Sequence, residues 1–215
     1  MPALTAVKIC GVTSIEDAIA AEAAGARYVG MILEGSRRAV GFDMIIDASK
    51  TLSKSRVVAV ITGRDVLDKY IERLDPVEIL QLHYSYSLKD LEILSTMGYR
   101  VIPVVIIRNN TTPDMELVTR PLMIFSNAIE YVLFDAPKDA APIEASGLKL
   151  PVGVYLAACS SYRPCGVAGG ITPNNVSSLK PVRPDVIDVS SGVESSFGKK
   201  DPVLVRRLVE AAEAI

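Results

Sequence analysis

The sequence predicts an α/β protein, a single (β/α)8 TIM barrel that takes residues 1–215 as one domain. Three observations carry that reading. Short apolar runs of strand length alternate with helix-length segments from end to end, and eight such units fill the chain. No linker separates the units. Glycines concentrate after the seventh and eighth strands, whereas a doubly wound open sheet usually has fewer strands and one dominant Gly-rich turn after its first. At 215 residues the chain is near the lower end, ~200 residues, for a barrel of this kind.

AVKIC (6–10) reads as the first strand. TSIEDAIAAEAAG (13–25) comes next as a helix with Thr13 or Ser14 as N-cap, Glu16 and Asp17 three residues on from each, and Gly25 as its stop. YVGMIL (28–33) is strand-length and apolar, and a helix fits about 43–53. VVAVIT (57–62) leads into a helix whose apolar face holds Val66, Leu67, Tyr70, Ile71 and Leu74, closed by Asp75-Pro76. EILQLH (78–83) precedes a helix over 87–97 that Ser87 and Asp90 cap. VIPVVII (101–107) precedes a helix expected near 114–127. YVLFDA (131–136) is the sixth strand, succeeded by an Ala/Pro-rich loop and the helical VGVYLAACSS (152–161). CGVAGG (165–170) is the seventh, with a short helix expected from Thr172-Pro173. VIDVS (186–190) is the eighth, and Asp201-Pro202 starts a last helix with Val205, Leu208, Val209 and Ala212 on one face.

The composition is 49% hydrophobic and 22% charged with a net charge of −2, so it carries no electrostatic footprint for nucleic acid or an anionic membrane. The longest apolar run is too short to span a bilayer, and the N-terminus lacks the pattern of a secretory signal. Three cysteines without a CxxC argue against a disulfide framework and for a reducing compartment, the cytoplasm. Cys159 and Cys165 read as packing residues. With one histidine and no carboxylate cluster at ligand spacing, no metal or other cofactor is expected.

In such a barrel the functional groups sit at the C-terminal ends of the strands. Those ends hold Cys10, Arg37 and Arg38, His83, Arg108, Asp135, Gly169-Gly170 and Ser190-Ser191-Gly192. The last two groups come after strands seven and eight, where close-approaching backbone amides bind phosphate. They read otherwise as ordinary tight turns. Side-chain alternation puts Lys8 on the same face as Cys10, one layer deeper, and Asp188 on the same face as Ser190. Strand eight closes against strand one, so Lys8 is expected to pair with Asp188 inside the barrel and to set positive charge beneath the thiol. On residue chemistry alone Cys10 reads first as an inert core thiol; Asp135 has a helix cap as its alternative, with its position favouring function; and His83 reads equally as a satisfied strand-end histidine or a functional one.

KICG (8–11), SRRAV (36–40), QLH (81–83), FD (134–135), AGGITPNNV (168–176), DVSSGVE (188–194) and GKKDP (198–202) together resemble the phosphoribosylanthranilate isomerase family, the barrel of tryptophan biosynthesis. The motifs run in order along nearly the whole chain. The resemblance implies an Amadori rearrangement that turns N-(5-phosphoribosyl)anthranilate into the 1-deoxyribulose amine, with a phosphorylated sugar as substrate and no cofactor. It implies Cys10 as general base, Asp135 as general acid and Arg38 as the holder of the anthranilate carboxylate, with Arg37 an equally available competitor. His83 joins the substrate site, and the phosphate falls to Gly169, Gly170, Ser190, Ser191 and Gly192. Elementary chemistry agrees: ring opening needs a proton delivered to oxygen, and the next step removes one from carbon.

Three positions depart from the family pattern. Tyr84 stands where the family has Gly and is expected to reshape the aromatic pocket. The loop 136–151 replaces a Gly-rich GGxGK segment, with only Ser146-Gly147 and Lys149 resembling it. VITG (60–63) replaces VF-x-N. Two other readings stand beside the isomerase: a related sugar-phosphate isomerase with a different aglycone, and a non-catalytic phosphate-binding barrel.

Overall fold

The computed structural model describes residues 4–108, 118–143 and 146–215. Eight parallel strands close into a barrel in sequence order: β1 Ala6–Cys10, β2 Tyr28–Ile32, β3 Arg56–Ile61, β4 Ile79–Leu82, β5 Arg100–Ile106, β6 Val132–Asp135, β7 Cys165–Val167 and β8 Val186–Val189. The closing pair is β1 with β8, in the register Lys8 opposite Asp188. The helices are α1 Ile15–Ala23, α2 Phe42–Thr51, α3 Arg64–Tyr70, α4 Leu88–Thr96, α5 Val152–Ser161 and α6 Pro202–Ala212.

Local sequence explains where the helices start. Ser14 caps α1 through the Asp17 amide. Ser87 and Asp90 form a reciprocal capping box on α4. Asp201 accepts from the amides of Val203 and Leu204, and Pro202 sits at the first helical position of α6. Strand alternation then separates two cores. Val57, Ala59 and Ile61 pack outward with the helices, while Val58 and Val60 join Tyr28, Ile79, Ile102, Val104 and Leu133 inside the barrel. The floor is closed by Tyr28 and Tyr131, whose ring centroids are 5.6 Å apart. Beneath them Glu130 takes hydrogen bonds from Tyr28, Arg56 and Arg100.

Several expectations need correction. Residues 109–117, which include the first part of the helix expected near 114–127, lie outside the described residues. Of the rest, residues 118–119 are helical and 3-10 turn follows over Arg120–Phe125. Thr172-Pro173 opens a turn rather than a helix: the Asn175 side chain takes the Thr172 amide, and 3-10 turn covers Val176–Leu179. After β8 the chain makes an unexpected two-stranded antiparallel hairpin, β9 Glu194–Ser196 with β10 Lys199–Lys200. Cys159 and Cys165 are a disulfide, not separate packing residues, with Cα atoms 5.4 Å apart. Both are buried; the chain leaves α5 and turns directly into β7, which brings the end of one to the start of the other. Absence of a CxxC was no guide to that turn. Cys10 is the free cysteine.

Candidate active site

A cavity of about 690 Å³ opens at the C-terminal ends of the strands, within the usual size of a small-molecule site. It brings together Cys10, Arg37, Arg38, His83 and Asp135, together with Gly169, Gly170, Asp188, Ser190, Ser191 and Gly192. Of the groups expected from sequence, Lys8 and Arg108 do not line it: Lys8 lies buried below, and Arg108 lines a separate, smaller cavity.

Cys10 ends β1 opposite Gly30. That glycine is needed for space: a Cβ there would sit 3.0 Å from both the Cys10 Sγ and the Lys8 Nζ. Lys8 is fully buried and donates to Asp188 Oδ2 at 2.6 Å and to Gln81 Oε1 at 2.7 Å. The expected ion pair inside the barrel is present. Its expected effect on the thiol is only partial. Burial pushes the Cys10 pKa up, the Lys8 charge pulls it down, and the Asp188 charge pushes it up again, leaving it raised overall. Lys8 fails to win because burial of the thiol outweighs its charge, and its own carboxylate partner adds to the opposition.

Asp135 ends β6 and accepts from the Ala136 amide at 2.7 Å. Burial, then the negative charge of Asp188, push its pKa up to about 7, against that amide and the charges of Lys149 and Lys8. His83 lies beside it, with Nε2 4.0 Å from Asp135 Oδ2. Burial and the Lys138 charge lower the imidazole to about 4, so it is neutral at pH 7.

Arg38 is clamped. Its Nε and Nη2 each donate to Glu194 at 2.8 Å, which leaves the edge carrying Nη1 outside that pair. Burial opposes ionisation of Glu194, but the hydrogen bonds from Arg38 and from buried Lys200 outweigh it and hold its pKa at about 2. Phe197, at the tip of the β9–β10 hairpin, lies under both guanidiniums, 4.3 Å from Arg37 and 4.2 Å from Arg38. Both arginines line the cavity, Arg37 exposed and Arg38 half-buried.

The turn after β7 requires glycine by its backbone conformation. Gly169 and Gly170 have φ of 112° and 74°, the left-handed region that favours glycine. Their carbonyls are tied away from the cavity's needs: the Lys149 amide and the Tyr155 hydroxyl take that of Gly169, and Asn175 Nδ2 takes that of Gly170. Among the described residues, the two amides donate to no backbone carbonyl. Lys138 and Lys149 add positive charge to the same wall.

Tyr84 is not among the lining residues. Its hydroxyl is 3.3 Å from Asp90 Oδ2, and Arg64 holds the other oxygen of that buried carboxylate, so the ring does not reshape the cavity. Sequence reading missed Gln81, Glu194, Phe197 and Lys200. Gln81 could have been found from β4 alternation, since it shares a face with His83. Glu194 and Lys200 lie inside the DVSSGVE and GKKDP motifs, but nothing in the sequence marks the hairpin that joins them.

The family model described as N-(5'phosphoribosyl)anthranilate (PRA) isomerase matches residues 7–211. A relative named N-(5'-phosphoribosyl)anthranilate isomerase, from Pyrobaculum aerophilum, is 34% identical over 209 residues, covering 95% of this chain and 97% of that protein. The crystal structure of phosphoribosyl anthranilate isomerase from Thermotoga maritima is similar with a TM-score of 0.80 at 25% identity, covering 99% of this chain and all of the other. Another isomerase structure, in complex with reduced 1-(o-carboxyphenylamino)-1-deoxyribulose 5-phosphate, has a TM-score of 0.75 at 25% identity over 99% of this chain and all of its own. A barrel that carries a thiol at the end of its first strand, an acid at the end of its sixth and glycine turns after its last two, and that matches these proteins along nearly its whole length, belongs to the N-(5'-phosphoribosyl)anthranilate isomerase family.

Proposed function

We propose that this chain catalyses the Amadori rearrangement of N-(5'-phosphoribosyl)anthranilate in tryptophan biosynthesis, with Asp135 as acid and Cys10 as base. The observation that carries the roles is that the two groups end β1 and β6 and line one cavity with the Gly169-Gly170 turn. The Asp135 carboxyl, with a pKa near 7, gives its proton to the ribose ring oxygen as the C1–O bond breaks. The anthranilate nitrogen supplies the electron pair that makes the C1=N iminium. The Cys10 thiolate then removes the C2 proton, and the C–H electrons form C1=C2 and return the iminium pair to nitrogen. Moving one proton from O2 to C1 gives the ketone. A proton passed from Cys10 to Asp135 through solvent resets both groups.

The phosphate is assigned to the amides of Gly169, Gly170, Ser191 and Gly192 with Ser190 beside them, and the anthranilate carboxylate to Arg38. Glu194 occupies one edge of that guanidinium and so pre-orients the other. Arg38→Lys keeps a charge but loses the fork. It is expected to raise KM more than it lowers kcat, and Arg37→Ala to have the smaller effect. A damaging Arg37→Ala beside a silent Arg38→Ala would reverse the assignment.

No helix among the described residues is long and apolar enough to cross a membrane. A cytoplasmic location rests on the biosynthetic role rather than on the cysteines, since two of the three are joined. Expression in a tryptophan auxotroph lacking the isomerase, paired with loss of phosphoribosylanthranilate fluorescence in vitro, tests the reading. Growth with turnover is expected. Failure of both with well-folded protein would favour a different aglycone or a binding role.

A further inference from the structure

We propose that Gln81 is a positioning residue that fixes His83 as the Nε2–H tautomer, so that the imidazole presents a hydrogen-bond donor to substrate oxygens beside Asp135. Only the clause about substrate rests on the function proposed above; the tautomer derives from the geometry of the protein alone.

Gln81 is buried, and it points to the barrel interior on the same face as His83 two residues on. Its amide has one acceptor end and one donor end, and the protein fixes which is which. An ammonium has donors only. The Lys8 Nζ, 2.7 Å away, must therefore meet the Gln81 oxygen. That leaves the Gln81 NH₂ as the end 3.2 Å from His83 Nδ1. A neutral imidazole has one protonated and one bare nitrogen. A nitrogen that faces an NH₂ group accepts, so Nδ1 is bare and the proton sits on Nε2. The imidazolium is disfavoured for the same reason, because it would set an N–H against an NH₂. The burial that lowers the imidazole's pKa to about 4 acts in the same direction.

Nε2 is the nitrogen turned toward Asp135, at 4.0 Å from Oδ2. That is beyond hydrogen-bond distance. Asp135 therefore does not consume the Nε2–H, and the donor is available to an oxygen of a ligand in the cavity that both residues line. The directional chain Lys8 → Gln81 → His83 thus links the thiol's side of the site to the acid's side. The ion pair that closes the barrel also dictates the protonation pattern of a ring at the end of strand β4.

His83 is the only histidine in the chain, so a long-range ¹H–¹⁵N spectrum of tag-free protein contains one imidazole. At pH 7, without substrate, it should show the Nε2–H tautomer. Gln81→Glu keeps the shape and the acceptor for Lys8, but its carboxylate cannot donate to Nδ1. In that variant the tautomer should reverse to Nδ1–H, and kcat for phosphoribosylanthranilate should fall about tenfold or more, the worth of roughly one hydrogen bond. Gln81→Leu, a second variant, should populate both tautomers. Nδ1–H in the unmodified protein, Nε2–H alone in either variant, or a reversed tautomer with unchanged kcat would each overturn the proposal. A wild-type protein without turnover but with the Nε2–H signal would sink the proposed function and leave the tautomer assignment standing.

Discussion

Cys10→Ser and Asp135→Asn should each lower kcat by at least ~10²-fold, the worth of a positioned acid or base, while changing KM far less. Serine keeps the shape of the base and raises its pKa out of range. Asparagine keeps the outline of the acid and has no acidic proton to give. The pH dependence separates the two roles. Asp135 acts in its protonated form, which is lost as pH rises through about 7. Cys10 acts as the thiolate, which forms only as pH approaches its raised pKa. Below pH 7 the acid is intact and kcat/KM should climb tenfold per pH unit with the thiolate. Above pH 7 each gain in thiolate is cancelled by an equal loss of acid, and the profile should flatten. In Asp135→Asn the cancellation disappears, so the residual rate should keep rising past pH 7. A flat profile below pH 7, or an unchanged break in Asp135→Asn, would exclude this assignment of acid and base.

Lys8→Met should cost about 3–5 kcal/mol of stability, because it removes one partner of a buried ion pair. Lys8 is fully buried and Asp188 nearly so, and their separation is 2.6 Å. Without the ammonium, the Asp188 carboxylate and the Gln81 oxygen are left without their shared donor. At this chain length each kcal/mol corresponds to roughly 2–4 °C in Tm. Lys8→Met/Asp188→Leu should regain most of the loss, since a buried pair is often worth no more than apolar residues of similar volume. The denaturant midpoints of the two variants decide it. A loss below about 1 kcal/mol in Lys8→Met, the range of exposed pairs, would mean that water reaches the pair.

Periodicity was enough to read the barrel, because each strand and helix buries its face locally and announces it by its own spacing. The pairing of Lys8 with Asp188 was legible for the same reason: alternation gives the face, and closure gives the neighbour. What was not legible depends on how distant pieces balance. The rise of the Cys10 pKa comes from burial and from Asp188, neither of which has a signature in KICG. The Arg38–Glu194 clamp needs a hairpin that only the folded chain forms. The Cys159–Cys165 bond depends on the turn between α5 and β7, and Tyr84 faces Asp90 because a buried carboxylate there offers it a partner. In each case the deciding group lies on another element.

The first and last strands of the barrel lie far apart along the chain, so β8 leaves the ribosome long after β1. Lys8 and Asp188 are 180 residues apart in sequence and become neighbours only when β8 is added. Until then a chain emerging from the ribosome carries a lysine bound for the interior with no carboxylate to meet it there. An incomplete chain is thereby held back from settling into a closed, barrel-like compact form. The thiol in turn acquires its full electrostatic surroundings only once β8 is in place, so reactivity at Cys10 waits on the last strand of the barrel.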